Sequence, residues 1–421
     1  MAFYSPNNVK TEILDPVYFS QDRVEFRLDR GTIMNNFKLA NLGLTAGGNH
    51  RYNLDGGVSS VIKAIHLYDG RITLQSQHHA NERYAFDNSL NTNEQNTNIE
   101  RFTHKHSLGY SVSPALDAVG KTVVEMYNVD TTTNGICTIN ATDTDTNTGK
   151  GYIQVRDLLP ILKVLPCLPS KVFTQLRLVI EWETDISKMA TGTANPATVI
   201  KPVLIIDRIV NDIAEAKQIS KLSNAFFMDY EYTQLDMPAN GAGTQQLHKK
   251  TMAFNNKLLQ RIRVKVNYAD KANYVATNTV LNRGSIGTSF NMNNRKIQFR
   301  VNGSNVLPRS SITGDNKRLA LFCDTWGNVN VRPEMITGLP NNATGGQNGV
   351  MVDNASIGVK DFDGVYIGKV IEELQIEMDR DFIADTTANS RYNSAMKIVL
   401  EGEVQRQINF GNGGYNVGYV V

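Results

Sequence analysis

Apolar and polar residues alternate one for one in stretch after stretch of this chain. A period of two suits only extended backbone, whose successive side chains point to opposite faces. Val24, Phe26 and Leu28 alternate with Glu25, Arg27 and Asp29, which predicts a strand with one buried face. SVIKAIHLY and RITLQ flank Asp69-Gly70, a dipeptide that supplies the positive φ angles of a tight turn and predicts a hairpin. Leu176, Leu178, Ile180 and Trp182 face one way, with Arg177, Glu181 and Glu183 on the other side. The run VIKPVLIIDRIV, from Val199 to Val210, reads as a more buried strand whose start Pro202 places near a sheet edge. The second half of the chain repeats the style. Ile262, Val264, Val266 and Tyr268 alternate with Arg261, Arg263, Lys265 and Asn267, and Ile297, Phe299 and Val301 with Lys296, Gln298 and Arg300. Leu374, Ile376 and Met378 alternate with Glu373, Gln375 and Glu377, and Met396, Ile398 and Leu400 with Lys397 and Glu401. Each predicts a strand with one wet face.

Helix signals are sparse. Asp157 is placed to cap a short apolar helix, LLPILKVL, with Pro160 in its first turn, and Asp212 with Glu215 makes a capping-box-like start to DIAEAKQISKL. The second of these falls near mid-chain, so we expect the domain boundary near residue 222. Tracts rich in Asn, Thr, Ser and Gly at about 85–100, 129–150, 269–294 and 338–356 separate the strands. Loops beyond about 12 to 15 residues are uncommon in compact domains, and several in one chain suggest a rigid β scaffold that projects them. Short strands, little helix and no βαβ rhythm predict an all-β chain: two tandem eight-stranded jelly-roll β-sandwiches, 1–222 and 223–421, with short helices in connecting loops. The strands between 78 and 150 are not assigned by pattern.

At 421 residues and 41% hydrophobic content the chain can bury two substantial cores. Its 43 Lys and Arg against 41 Asp and Glu leave a net charge of +2. No global field therefore draws nucleic acid or an acidic membrane to it. Three widely spaced cysteines, Cys137, Cys167 and Cys323, encode neither a disulfide framework nor a zinc cluster, and suit a reducing compartment. The first residues, MAFYSPNNVK, lack a signal-peptide pattern, and no apolar segment reaches the length of about 18 residues that a membrane span needs.

Several stretches imitate binding or catalytic motifs and fail on their chemistry. DTDTNTGKGYIQ spaces Asp143, Asp145 and Asn147 as a calcium loop does. A calcium loop also needs Gly at its sixth place and a bidentate Glu at its twelfth, where this chain has Thr148 and Gln154. As a phosphate loop the same stretch has Thr144 for the first Gly and Gly151 for the final Ser or Thr. An exposed polar loop, with weak ion binding at Asp143 and Asp145 as the alternative, is the expectation. His104 and His106 have the His-x-His spacing of a cupin metal site, but no Glu follows at the cupin distance; His78 and His79 would point to opposite faces of a strand. No Gly-x-Ser-x-Gly elbow occurs, and Cys167, between Pro166 and Pro169, reads as a buried inert thiol. Glu181 with Glu183, and Glu372 with Glu373, read as wet-face charges. The cationic face Arg261, Arg263 and Lys265 is the nucleic-acid candidate, yet no aromatic residues interleave as stacking platforms, and a structural role such as subunit contacts is as good a reading. No catalytic, cofactor or metal residue is assigned.

The succession VEFRLDRG, GGVSSVIKAIHLYDGRITLQ and YIQVRDLLPILKVLPCLPSKVFTQLRLVIEWE resembles the first half of double jelly-roll major capsid proteins of the adenovirus-like, virophage and Polinton-like lineage. LLQRIRVKVNY, RKIQFRVNGSNVLPR and MKIVLEGEVQRQINF resemble the second half. The resemblance spans about residue 20 to the C-terminus. It implies a homotrimer whose six jelly rolls form a pseudo-hexagonal block, tiling an icosahedral virus shell beside neighbouring trimers, penton and minor capsid proteins. It carries no catalytic residues, no cofactor and no specific nucleic-acid recognition. The rival expectation is a β-sandwich receptor- or carbohydrate-binding spike or fibre component. Exposed aromatics in loops would mark it; Tyr84 and Tyr274 are candidates, whereas Trp182 and Trp326 read as core or core-adjacent.

Overall fold

The computed structural model describes residues 8–46, 50–52, 56–91, 138–139, 150–192, 196–239, 241, 245–268, 294–307, 363–381, 395–411 and 414–421. Asp143, Asp145, His104, His106, Cys137, Cys323, Tyr274 and Trp326 lie outside them.

The described residues between 9 and 209 build two facing antiparallel sheets and a small three-stranded one of Ala190–Gly192, His50–Tyr52 and Thr138–Ile139. One runs Lys150–Gln154, Lys38–Ala46, Val203–Ile209, Thr32–Met34 and Cys167–Pro169, with Val9–Leu14 on the other side of Val203–Ile209 and Pro196–Val199 beside Lys38–Ala46. The other runs Tyr18–Phe19, Arg23–Arg27, Leu176–Trp182, Ile62–Asp69 and Ile72–Gln77. The alternating apolar positions meet between them. Val24, Phe26, Ile65, Leu67, Leu178 and Ile180 from one sheet face Ile33, Leu39, Leu42, Leu204 and Ile206 from the other, and all are buried. Trp182 is in the same core. The expected hairpin is present, with Asp69 paired to Ile72 and Gly70 at φ +58°. Only Gly70 takes the left-handed conformation. Asp69 ends its strand, and its carboxylate accepts the Gln175 backbone N–H at 2.6 Å.

The second unit is built on one seven-stranded antiparallel sheet of unusually long strands. Its order is Ala225–Met237, Met396–Gly411, Gln245–Tyr268, Asp363–Asp381, Asn294–Val301 and Ser304–Asn305, with Gly414–Tyr419 paired to the end of Met396–Gly411 on the side that carries Gln245–Tyr268. The 24-residue strand Gln245–Tyr268 breaks register between Ala253 and Lys257, where Asn255 and Asn256 both take positive φ. Asparagine tolerates that conformation better than most residues. The bend lets Met252 and Phe254 before it and Leu259 and Ile262 after it enter one core with Ile297, Phe299, Leu374, Ile376, Met378, Ile398 and Leu400. Gly402 is required here: a Cβ on it would stand 2.7 Å from the Phe254 ring.

Five local expectations are corrected. Val199–Val210 is two strands split at Ile200–Pro202, and Val203–Ile209 alternates in burial and lies in the sheet interior; Pro202 stands before the ladder, so its missing N–H breaks no pair. LLPILKVL is two single-turn helices, Val155–Leu158 and Ile161–Val164, with Asp157 inside the first and Pro160 opening the second. Helix Asp212–Ile219 is capped one residue earlier than expected, by Asn211, whose side chain accepts the Ile213 and Ala214 N–H groups; Glu215 instead accepts from Thr32 Oγ1 at 2.5 Å. A helix, Ala80–Asn91, occupies the start of the tract read as loop, and it buries Tyr84. Finally, Glu183, Glu377 and Glu401, read as wet-face charges, are buried.

Candidate functional site

The last correction locates the site. On Gln245–Tyr268 and Met396–Gly411 the positions facing away from the second core carry opposite charges in register, Arg261 against Glu403 and Arg263 against Glu401. Directly opposed residues of antiparallel strands interact strongly. Arg261 pairs with Glu403. Arg263, 2% exposed, grips Glu401 through Nε at 3.0 Å and Nη2 at 2.8 Å. Its remaining arm, Nη1, donates to Asp87 of helix Ala80–Asn91 at 2.6 Å. That contact leaves the second unit and enters the first.

The chain of charges continues. Asp87 also faces Arg83 at 3.8 Å, and Arg83 donates to the Leu158 carbonyl at 2.6 Å with its guanidinium 4.3 Å from the centre of the Tyr230 ring. Burial opposes the charge on Arg263, but Glu401 and Asp87 outweigh it and hold its pKa above the ordinary arginine value. Burial likewise opposes the Asp87 carboxylate, and Arg263 and Arg83 outweigh it, so its pKa lies below the usual value. Burial drives the Tyr230 hydroxyl well above its ordinary value.

Beside this ladder, Asp229 accepts from Gln77 at 2.6 Å and from Arg406 at 3.0 Å, while Gln75 donates to the Met228 carbonyl and receives the Ile161 N–H, both at 2.8 Å. Burial raises the Asp229 pKa in spite of Arg406. Lys188 reaches Glu82 at 2.7 Å, and Tyr232 donates to the same carboxylate at 3.3 Å. The far end of the seam is apolar. Phe227, Ile408, Phe410, Tyr415 and Val417 of the second unit pack into the first unit's core, and Tyr415 donates to Asp69 at 2.7 Å. At the ionic end lies a cavity of about 270 Å³ lined by His78, His79, Arg83, Tyr230, Glu231, Tyr232 and Glu401.

His78 and His79 do not converge on one point. His79, at φ +53°, stacks on Tyr232 at 3.8 Å between ring centres, while His78 stands edge-on to His66 at 5.3 Å. Burial lowers the His66 pKa, and its Nδ1 meets Ser76 Oγ at 2.7 Å. Cys167 is buried and free, its thiol pushed up to about 11 by burial. Glu181 is exposed beside His66, Glu183 is buried and accepts from Asn81, and Glu372 and Glu373 are exposed. Glu377 sits between Lys249 at 3.1 Å and Arg300 at 3.3 Å. No group of three His, Cys, Asp or Glu among the described residues is placed to hold a metal, and no described helix is long and apolar enough to cross a membrane. Arg261 and Arg263, read as a nucleic-acid face, are committed to carboxylates within the molecule. The sequence did not point to Arg83, Asp87, Asp229 or Tyr230; the matching alternation of Arg261 and Arg263 with Glu401 and Glu403 was the available signal.

What this arrangement does is couple: a buried ionic ladder, a hydrogen-bonded centre and an apolar end lock two β units into one block. Known proteins with the same architecture are found by structure alone. No sequence family matches the chain, and no curated protein is recognisably similar in sequence. PBCV-1 VP54, fitted into a reconstruction of the virophage Sputnik, superposes over 100% of this chain and 99% of its own at 12% identity with a TM-score of 0.59. A chain of the Sputnik virophage covers 98% of this one and 88% of its own at 11% identity and a TM-score of 0.60. The Faustovirus major capsid protein covers 97% and 92% at 9% identity and 0.50. The fold is a double jelly roll.

Proposed function

We propose that this chain is a major capsid protein that acts by assembly: a homotrimer, pseudo-hexagonal in outline, that tiles the icosahedral shell of a virion. The observation that carries the reading is the buried seam, which makes two jelly rolls one rigid building block, together with a likeness to capsid structures that runs the length of the chain. The two units, divided near residue 222, would supply two of the six walls of each block. Neighbouring trimers, penton and minor capsid proteins are the partners this role requires, and the virion shell is its place. Near-neutral net charge suits a surface that must approach copies of itself closely. The spike or fibre alternative gains nothing from Trp182 and Tyr84, which are buried. Solution mass and negative-stain imaging test the proposal. About three times the 46.8 kDa chain, with a pseudo-hexagonal outline, is expected; a monomer that fails to assemble at high concentration would remove it.

A further inference from the structure

The two units repeat one arrangement of strands. In the first, Val9–Leu14, Val203–Ile209, Lys38–Ala46 and Lys150–Gln154 lie side by side; in the second, Ala225–Met237, Met396–Gly411, the later half of Gln245–Tyr268 and the earlier half of Asp363–Asp381 do so. Each unit also carries a hairpin closed by a glycine of positive φ: Ile62–Asp69 with Ile72–Gln77 at Gly70, and Asn294–Val301 with Ser304–Asn305 at Gly303. Side chains that point away from the second core form the row Tyr230, Glu403, Arg261 and Tyr366 across its four strands. Across the first unit's four strands, Ile13, Ile205, Lys38 and Gln154 form such a row. The second unit's face is covered. Helix Ala80–Asn91, which follows the first unit's hairpin, lays Asp87 on Arg263 and Arg83 on Tyr230, and Gln75 of that hairpin donates to the Met228 carbonyl at 2.8 Å. Arg263, Glu401 and Glu403 are all buried there. The first unit's face is open. Helix Asp212–Ile219 meets its end, where Ala214 packs with Ile209; beyond it Ile13 is 68% exposed, Tyr152 is exposed, and Val203 and Ile205 are half-buried. The face that carries charge is dry, and the one that carries isoleucine and valine is wet. No described strand pairs with the outer side of Val9–Leu14.

We propose that the second unit of a neighbouring copy covers this open face, its hairpin of Asn294–Val301 and Ser304–Asn305 seated along Val9–Leu14 as the first unit's hairpin is seated along Ala225–Met237 within the chain. The inference rests on the assembly reading, whose contact it specifies. Exposed apolar patches of this kind mark contact surfaces, and Ile13, Val203, Ile205 and Tyr152 would supply the adhesion. Ser304 and Asn305 are exposed, and side chains that both donate and accept suit a strand edge whose backbone groups have no strand beside them. The contact joins two different surfaces. Every copy therefore keeps the same orientation, and a head-to-tail step of this kind repeats around a ring. Within a chain the step runs from the first unit to the second; between chains it runs from the second unit to the first of the next copy. Three copies that alternate the two steps close the block.

The test is site-directed photocross-linking in the full chain. Benzoylphenylalanine in place of Ile13 should join two copies under light, and mass spectrometry of the digested product should place the link in the partner copy's second unit. Links confined to the partner's first unit, or no link between copies, overturn the proposal. Ile13→Glu and Ile205→Glu each put a charge into the covered face and should weaken the oligomer about tenfold or more on dilution. Ile213→Glu changes a residue that is 82% exposed on helix Asp212–Ile219 and should leave the oligomer as it was. Ile13 stands in water in the single chain, so Ile13→Glu protein should keep the wild-type circular dichroism even where Ile205→Glu does not fold. Two folded glutamate variants that assemble as wild type does overturn the proposal, and so does an equal loss in all three. A trimer whose links from position 13 miss the second unit removes this contact and leaves the capsid reading standing. A link to the second unit in a protein that stops at a dimer or runs on into open chains supports the contact and removes the trimer. A wild-type chain that stays monomeric removes both.

Discussion

The two ends of the inter-unit seam hold the same pair of bodies together by opposite means. At one end Phe227, Ile408, Phe410 and Tyr415 insert apolar surface into the first core; at the other, Arg83, Asp87, Arg263 and Glu401 alternate in sign, and all but the half-buried Asp87 are shielded from water. Apolar packing is graded, since each lost methylene costs its share and neighbours partly relax. A buried ladder of charges is not, because removing one member strands the others in a medium that penalises bare charge. The apolar end therefore supplies adhesion, and the ionic end fixes registration.

Breaking the ladder should give the largest effect. Arg263→Met removes the bidentate partner of Glu401 and one of the cations that face Asp87, and is expected to cost about 3–5 kcal/mol in denaturant unfolding. The same substitution combined with Asp87→Leu and Glu401→Leu should recover most of that loss; if the triple variant is no better than the single one, stranded charge is not the cause. Tyr415→Phe, at the polar contact within the apolar end, removes the donor to Asp69 and should cost about 1.5–3 kcal/mol. A melting temperature equal to wild type would show that water replaces the hydroxyl. Ile408→Val, wholly in the apolar end, should cost only about 0.5–1.5 kcal/mol, and a larger loss would mean that the apolar end, too, responds as a unit.

The smallest effect is one of pH. Burial holds the His66 pKa below its ordinary value of 6.5, so the folded protein binds fewer protons than the unfolded chain in the interval beneath that value. His66 therefore adds stability above pH 6.5 that is lost as pH falls toward its folded pKa. Glu181, which faces it at 3.6 Å, and His78, which stands beside it, act in opposite senses on that shift. His66→Gln should flatten the decline in melting temperature between pH 7 and the onset of general acid unfolding; an unchanged slope would assign the decline to other groups.

Strand identity was legible because a period of two is a local property. Val24, Phe26, Leu178, Ile180, Ile376 and Ile398 could be placed on core faces without knowing what they touch. The opposite faces were not legible. A charge at an alternating position reports only that the residue avoids its own core. At Glu372 it faces water, while at Glu401 it faces the other unit. The pattern cannot separate those cases, since the deciding partner, Asp87, lies 176 residues from Arg263. Helix Ala80–Asn91 was missed for a related reason. Asn81, Glu82 and Arg83 on it are buried polar residues, the last two of them reaching the seam, which erases the apolar stripe that announces a helix. Val9–Leu14 went unread because VKTEIL mixes its apolar and polar positions too loosely to show a period.

The hydrogen bond from Tyr415 to Asp69 spans 346 positions of the chain. During synthesis, Asp69 and the Phe173 ring emerge long before Phe410 and Tyr415, which pack against that ring. The first unit therefore waits, with part of its apolar surface open to water, until the second has been translated. Closing contacts over such separations is slow, and half-made cores are prone to aggregate. The same late arrival that welds the two units into one block thus makes a nascent chain a ready client for chaperones.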